Sequence, residues 1–114
     1  MKKPFNLETR TFLFAKLVGL YVKQLKPDQV NTVYINQLIR ASSSIGANYI
    51  EANESLGKKD FLMHLKISRK EAKESEYWLK LLKVMNDNSL NCDDLIQEAK
   101  ELRFIFTRII EKSK

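Results

Sequence analysis

The sequence predicts an all-α fold, an antiparallel up-down four-helix bundle. Three observations carry this. The chain of 114 residues has only three glycines and two prolines, too few turn-formers for a sheet protein. Apolar residues (44%) recur in alternating steps of three and four, the period of a helix with one buried face. The breaks between the periodic stretches are short, and short links make neighbouring helices antiparallel. One domain over 1–114 is expected, long enough for a real core.

The first helix, roughly 8–25, has Phe14, Leu17, Val18, Tyr21 and Leu25 on one face. Lys26-Pro27-Asp28 ends it. The second, roughly 29–55, carries Val30, Tyr34, Leu38, Ala41, Ile45, Asn48 and Ala52 on its seam, and Gly57 suits its C′ position. The third, roughly 59–86, carries Phe61, Leu65, Ser68, Ala72, Ser75, Leu79 and Leu82. A polar loop follows, Asn86 to Asn91. The fourth, roughly 92–112, carries Leu95, Ala99, Leu102, Phe106 and Ile109, with Asn91 as cap and Asp93 and Asp94 favouring its first turn.

Ser42 to Ala52, Ser-Ser-Ser-Ile-Gly-Ala-Asn-Tyr-Ile-Glu-Ala, is the unusual stretch. Serine, glycine and asparagine are weak helix formers. Either the second helix breaks near Ile45, with Asn48 and Glu51 spaced as a capping box, or it runs through and offers a low-relief surface to a close neighbour. The second reading is favoured, because the third helix has its own small residues in mid-seam. A seam-facing Asn48 then needs a buried partner.

The net charge of +6 suits nucleic acid or an anionic surface. Residues 58–83 hold eight Lys/Arg and four Asp/Glu. Lys66, Arg69, Lys73, Glu76, Lys80 and Lys83 follow one 3,4 stripe, and Lys59 continues it towards the N-terminus. Such a rail matches a phosphate backbone. Its blander reading is a solvated face with Glu76 pairing Lys73 and Lys80. Residues 87–102 are acidic, and the stretch from Arg103 onward is basic again.

Catalytic and metal motifs are missing. With one histidine, His64, there is no pair of Glu-x-x-His motifs for a di-iron bundle. One cysteine, Cys92, leaves no disulfide and no zinc set. Leu56-Gly57-Lys58-Lys59 fails as a phosphate loop. Glu51, Glu54, Glu71 and Glu74 are placed to converge between the second and third helices. No catalysis and no cofactor is expected. His64 is expected beside Asp60, one turn back. Tyr77 and Trp78 point about 100° apart, so one of them is a candidate subunit anchor. The start of the chain lacks the apolar core of a signal peptide, and no run is long enough to span a bilayer, so a cytoplasmic, non-membrane protein is expected.

Ser-Ser-Ile-Gly-Ala-Asn-Tyr-Ile-Glu-Ala (43–52), Gly-Lys-Lys-Asp-Phe (57–61), Lys-Ile-Ser-Arg-Lys-Glu-Ala-Lys-Glu-Ser (66–75) and Tyr-Trp-Leu (77–79) together resemble the bacterial four-helix bundle protein family. It is also called the 23S ribosomal RNA intervening-sequence protein family. Many members read Ser-Ile-Pro-Ala-Asn-Ile-Ala-Glu-Gly where this chain has Ser44 to Ala52, with Gly46 here for the proline and Ala52 for the glycine. A related protein is the accessory variability determinant of diversity-generating retroelements, a basic homopentameric barrel that binds a reverse transcriptase and nucleic acid. The resemblance implies an antiparallel bundle and a homo-oligomer, with a pentamer as the best guess. It also implies association with structured RNA or a reverse transcriptase partner, and no known catalysis. The stripe Lys59, Lys66, Arg69, Lys73, Lys80 and Lys83 is then the candidate RNA contact. Ser44, Ala47, Tyr49, Tyr77 and Trp78 are the candidate oligomer contacts, while Ala41 and Ile45 face the bundle. The alternative is an adaptor that oligomerises and docks a protein without nucleic acid.

Overall fold

The computed structural model describes residues 6–86 and 91–114. The chain forms four helices: α1 (Leu7–Val22), α2 (Gln29–Asn53), α3 (Lys58–Met85) and α4 (Asp93–Ser113). Among the described residues there is no strand. Neighbours in sequence pack side by side, as short links require. The α2–α3 and α3–α4 pairs are intimate. The α1 helix lies on α2 and touches α4 only lightly.

Each helix starts for a local reason. Asn6 accepts the Thr9 backbone N–H at 3.0 Å, and Asp28 accepts that of Asn31 at 2.8 Å, so both side chains satisfy first-turn donors. Gly57 does not close α2. The C-cap there is Glu54, whose N–H bonds back to Ile50, and Gly57 instead opens α3 as its N-cap in extended backbone. Cys92 takes the N-cap position of α4 without a side-chain capping bond, its thiol donating instead to the Leu79 carbonyl at 3.8 Å. Asn91, one residue earlier, accepts the Asp93 N–H at 2.9 Å. Of the polar loop, residues 87–90 lie outside the described residues.

The core follows the 3,4 seams except at helix ends. Val30 at the start of α2 is exposed, and in α4 Ile96 and Ile110 are buried while the expected Leu95 and Ile109 are half-buried. Phe14, Val18, Leu38, Ala41, Ile45, Leu65, Ala72, Leu79, Leu82, Ala99, Leu102 and Phe106 are fully buried. The α1 helix ends at Val22, short of 25, yet Leu25 beyond it remains in the core. At one end of the bundle Asn31 and Asn86 exchange amide hydrogen bonds of 2.8 and 3.0 Å, tying the start of α2 to the end of α3.

The α2 helix runs unbroken through Ser42–Ala52. Gly46 faces α1: a Cβ placed on it would sit 2.9 Å from Thr11 Oγ1. That close approach is what the small residues permit. On another side of the same helix, Ser68 of α3 donates to the Ile45 carbonyl at 2.9 Å, so α3 also approaches the α2 backbone through a small side chain.

Candidate nucleic-acid interface

The outward surface of α3 is set by its inward one. Leu65, Ser68, Ala72, Ser75, Leu79 and Leu82 point into the bundle. One flank meets α2 and carries a chain of polar contacts. Arg40 Nη1 donates to Glu71 Oε2 at 2.8 Å, and its other terminal nitrogen lies 3.5 Å from Glu74 Oε1. Asn48 Nδ2 donates to the Ser44 carbonyl and hydroxyl, and Asn48 Oδ1 sits 3.1 Å from His64 Nδ1. His64 Nε2 is 3.5 Å from Asp60, as its position one turn back suggests. Asn48 is only half-buried, and its partners are therefore a serine on its own helix and a histidine on the next. Of the four glutamates expected to converge, Glu71 and Glu74 meet around Arg40, while Glu51 and Glu54 stay exposed.

Glu71 and Glu74 divide the proton affinity of their site unequally. Burial pushes Glu71 up, but a hydrogen bond from Glu74, the Arg40 charge and the Ser44 hydroxyl outweigh it and hold Glu71 below the usual carboxylate value. Glu74 is raised, first by its hydrogen bond to Glu71, then by burial and the Glu71 charge. A raised carboxylate stabilises the fold at acid pH and loses that contribution as pH rises through its folded value. Glu74→Gln keeps a donor for Glu71 and removes the repulsion. The variant should therefore be more stable than wild type at pH 7 by a few tenths of a kcal/mol, since solvent screens the half-buried Glu74 in part. The difference should close towards pH 4. Urea titrations at both pH values check this, and an equal difference at both would sink it.

The other flank of α3 meets α4. Glu76 turns inward there, its carboxylate 2.7 Å from Lys80 Nζ and 3.9 Å from Arg103. Lys83 reaches Asp93 at 2.7 Å, a hydrogen bond that raises its pKa further. Arg69 and Lys83 are half-buried along this flank. The stripe read from the sequence is therefore rotated in the structure. The exposed crest is Lys59, Met63, Lys66, Lys70, Lys73, Tyr77, Lys80 and Val84. It retains Lys59, Lys66, Lys73 and Lys80, adds Lys70, and contains no acid. The signal for Lys70 was available, because it follows the same 3,4 alternation one step further round. The crest spans about 30 Å from Lys59 to Lys80 at 1.5 Å per residue. Among the described residues Lys59, Lys66, Lys70 and Lys73 have no ion-pair partner, while Lys80 is tied to Glu76.

Five residues were singled out for subunit contact. Tyr49 is half-buried against Phe106, with ring centroids 6.0 Å apart. Ser44 sits in the α2–α3 polar line. Trp78 turns inward onto Tyr34 at 5.8 Å, with its indole N–H buried and unpartnered. Two point outward: Tyr77, 58% exposed on the crest, and Ala47. Ala47 lines a groove of about 460 Å³ between α1 and α2 with Phe12, Ala15, Ser43, Gly46 and Ile50. Phe12, 73% exposed, stands on its rim. The groove was not foreseen, because only the helix pairing places Phe12 beside Ala47.

The sequence model of the 23S rRNA-intervening sequence protein family matches residues 6–108. The chain belongs to that family. Its fold is also that of a crystal structure from Bacteroides thetaiotaomicron, a protein of unknown function from the S23 ribosomal protein family. The two chains are 30% identical, with a TM-score of 0.82 over 92% of this chain and 98% of that one. No curated protein matches. Membership in the 23S rRNA-intervening sequence family thus fixes the bundle and carries no assigned activity with it. Among the described residues, no helix of this family member is long and apolar enough to cross a membrane.

Proposed function

We propose that this member of the 23S rRNA-intervening sequence family is a non-catalytic, self-associating bundle that binds structured RNA, alone or within a reverse transcriptase-like complex, through the exposed crest of α3. The observation that carries the reading is the crest itself: five lysines along one helix face with no acid on that line, four of them in no close ion pair among the described residues. A solvated helix face ordinarily interleaves both signs. A single-sign row instead suits a polyanion, whose counterions it displaces on binding. Self-association rests on the α1–α2 groove, where Phe12 and Ile50 expose apolar surface beside a floor of small residues. Repetition of the crest in an oligomer, five copies by the family resemblance, multiplies weak phosphate contacts through effective concentration.

A labelled ribosomal RNA hairpin, titrated across a salt series with duplex DNA as competitor, tests the RNA reading. Wild type is compared with a variant carrying Lys66→Glu, Lys70→Glu, Lys73→Glu and Lys80→Glu. The expected result is binding near physiological salt that falls by at least about 100-fold in the variant, with a log–log salt slope shallower by roughly 0.7–0.9 per lost contact. Binding that survives the four reversals leaves the crest a solvated face. Light scattering on the same samples reads the oligomer, expected near five times the 13.3 kDa chain mass. The second reading, an adaptor that docks a protein, is favoured by the same groove. It gains if the oligomer forms and RNA binding vanishes above low salt.

A further inference from the structure

We infer that Tyr77 is a base-stacking residue and that the α3 crest takes unpaired nucleotides, in loops or single strands, in preference to continuous duplex. This rests on the RNA reading above and specifies its ligand. Tyr77 is the aromatic residue of the crest, and 58% of its surface is open. Lys73 and Lys80 lie one turn to either side of it, and Lys70 two turns back, all on the same exposed line. Met63 and Val84, 48% and 71% exposed, extend the apolar surface along that line.

The ring is also held. Trp78 meets it edge to face, with centroids 5.1 Å apart at 73°. Trp78 is in turn fixed inward against Tyr34 and the core. An aromatic ring standing out of a lysine row, already ordered by a buried neighbour, loses little freedom when a base lies against it. Bases stack on aromatic faces regardless of sequence, while lysines follow the backbone. A continuous duplex keeps its bases stacked on one another, so it has phosphates for the lysines but no free base face for the tyrosine.

The test uses three fluorescein-labelled probes: a short oligouridylate, a hairpin with a uridine loop, and a blunt RNA duplex. Each is titrated with wild type, Tyr77→Ala, Tyr77→Phe and Lys70→Gln. Tyr77→Ala should weaken the oligouridylate and the hairpin about 10-fold and leave the duplex unchanged. Tyr77→Phe, which keeps the ring, should bind as wild type does. Lys70→Gln should weaken all three probes and flatten the salt slope by roughly one contact, while Tyr77→Ala leaves the slope intact. Equal loss on all probes, or none, overturns the stacking role while the RNA reading stands. So does dispersal of the oligomer by Tyr77→Ala, seen by light scattering, which would make the residue a subunit contact. Absence of any RNA binding by wild type overturns both readings together.

Discussion

Replacing Arg10 by methionine should cost about 2–3 kcal/mol, lower the melting temperature by roughly 10 °C, and free α1 from α4 first. Arg10 is a half-buried cation that joins two helices by a fork. Its Nε donates to Glu98 Oε2 at 2.7 Å, and Nη2 donates to Glu98 Oε1 at 2.8 Å and to Glu101 Oε1 at 3.0 Å. The Arg10 and Glu98 side chains are each only 14% exposed. The Glu98 hydrogen bond raises the guanidinium pKa above its ordinary value in spite of burial, so the cation persists at every accessible pH. Methionine fills similar space but gives up three charge-assisted hydrogen bonds to the Glu98 and Glu101 carboxylates in a partly dry site, and those bonds are the larger part of the loss. Arg10→Lys retains charge without the planar fork and should recover about half. Urea denaturation followed by circular dichroism reads the loss. Hydrogen exchange shows where it falls, and a uniform loss of protection over all four helices would argue against a local clamp.

Gly46→Leu should be as damaging, at about 3 kcal/mol or more, because its Cβ already collides with Thr11 and a branched side chain adds bulk at the same contact. Thr11 fills the space opposite. It is 1% exposed, and its hydroxyl donates to the Glu8 carbonyl at 3.0 Å. Gly46→Ala sets two effects against each other. Alanine gains about 1 kcal/mol of helix propensity over glycine. Its Cβ, 2.9 Å from Thr11 Oγ1 and 3.3 Å from Thr11 Cβ, costs about 1–3 kcal/mol of overpacking, so the net effect is destabilising. Thr11→Ala removes the nearer contact. In that background Gly46→Ala should become neutral or stabilising, a coupling of about 1 kcal/mol or more in a double-mutant cycle. Additive effects would mean that the two helices do not meet there.

The periodicity of the chain located all four helices to within a few residues, because a face buried at 3,4 spacing marks each helix along its length. At both ends of α4, though, the buried residue is the next one along, Ile96 for Leu95 and Ile110 for Ile109. Capping was harder to assign. Gly57 lies between two helices and can serve either, and only the path of the chain places it at the start of α3. The rotation of the basic stripe has a simple cause. Lys66, Lys73 and Lys80 fit two neighbouring 3,4 lines, and the choice between them depends on which way Glu76 turns. Arg103, on another helix, helps to settle that. The same limit hid the Arg10 clamp, whose partners are 88 and 91 residues away in sequence. Ser42–Ala52 was legible in part: small residues announced a close approach, but Thr11 as the neighbour emerged only from the packed helices.

That distance along the chain has a kinetic consequence. The α2–α3 and α3–α4 contacts join sequence neighbours and close short loops, so they can form early. The Arg10 fork joins residues 88 and 91 positions apart and holds α1, which otherwise touches α4 only lightly. In the chevron, substitutions at Arg10 then belong on the unfolding limb, with folding rates nearly unchanged and φ-values near zero. The α1–α2 contact closes a short link as well, so it is the seat of α1 against α4 that is expected to form last and to part first.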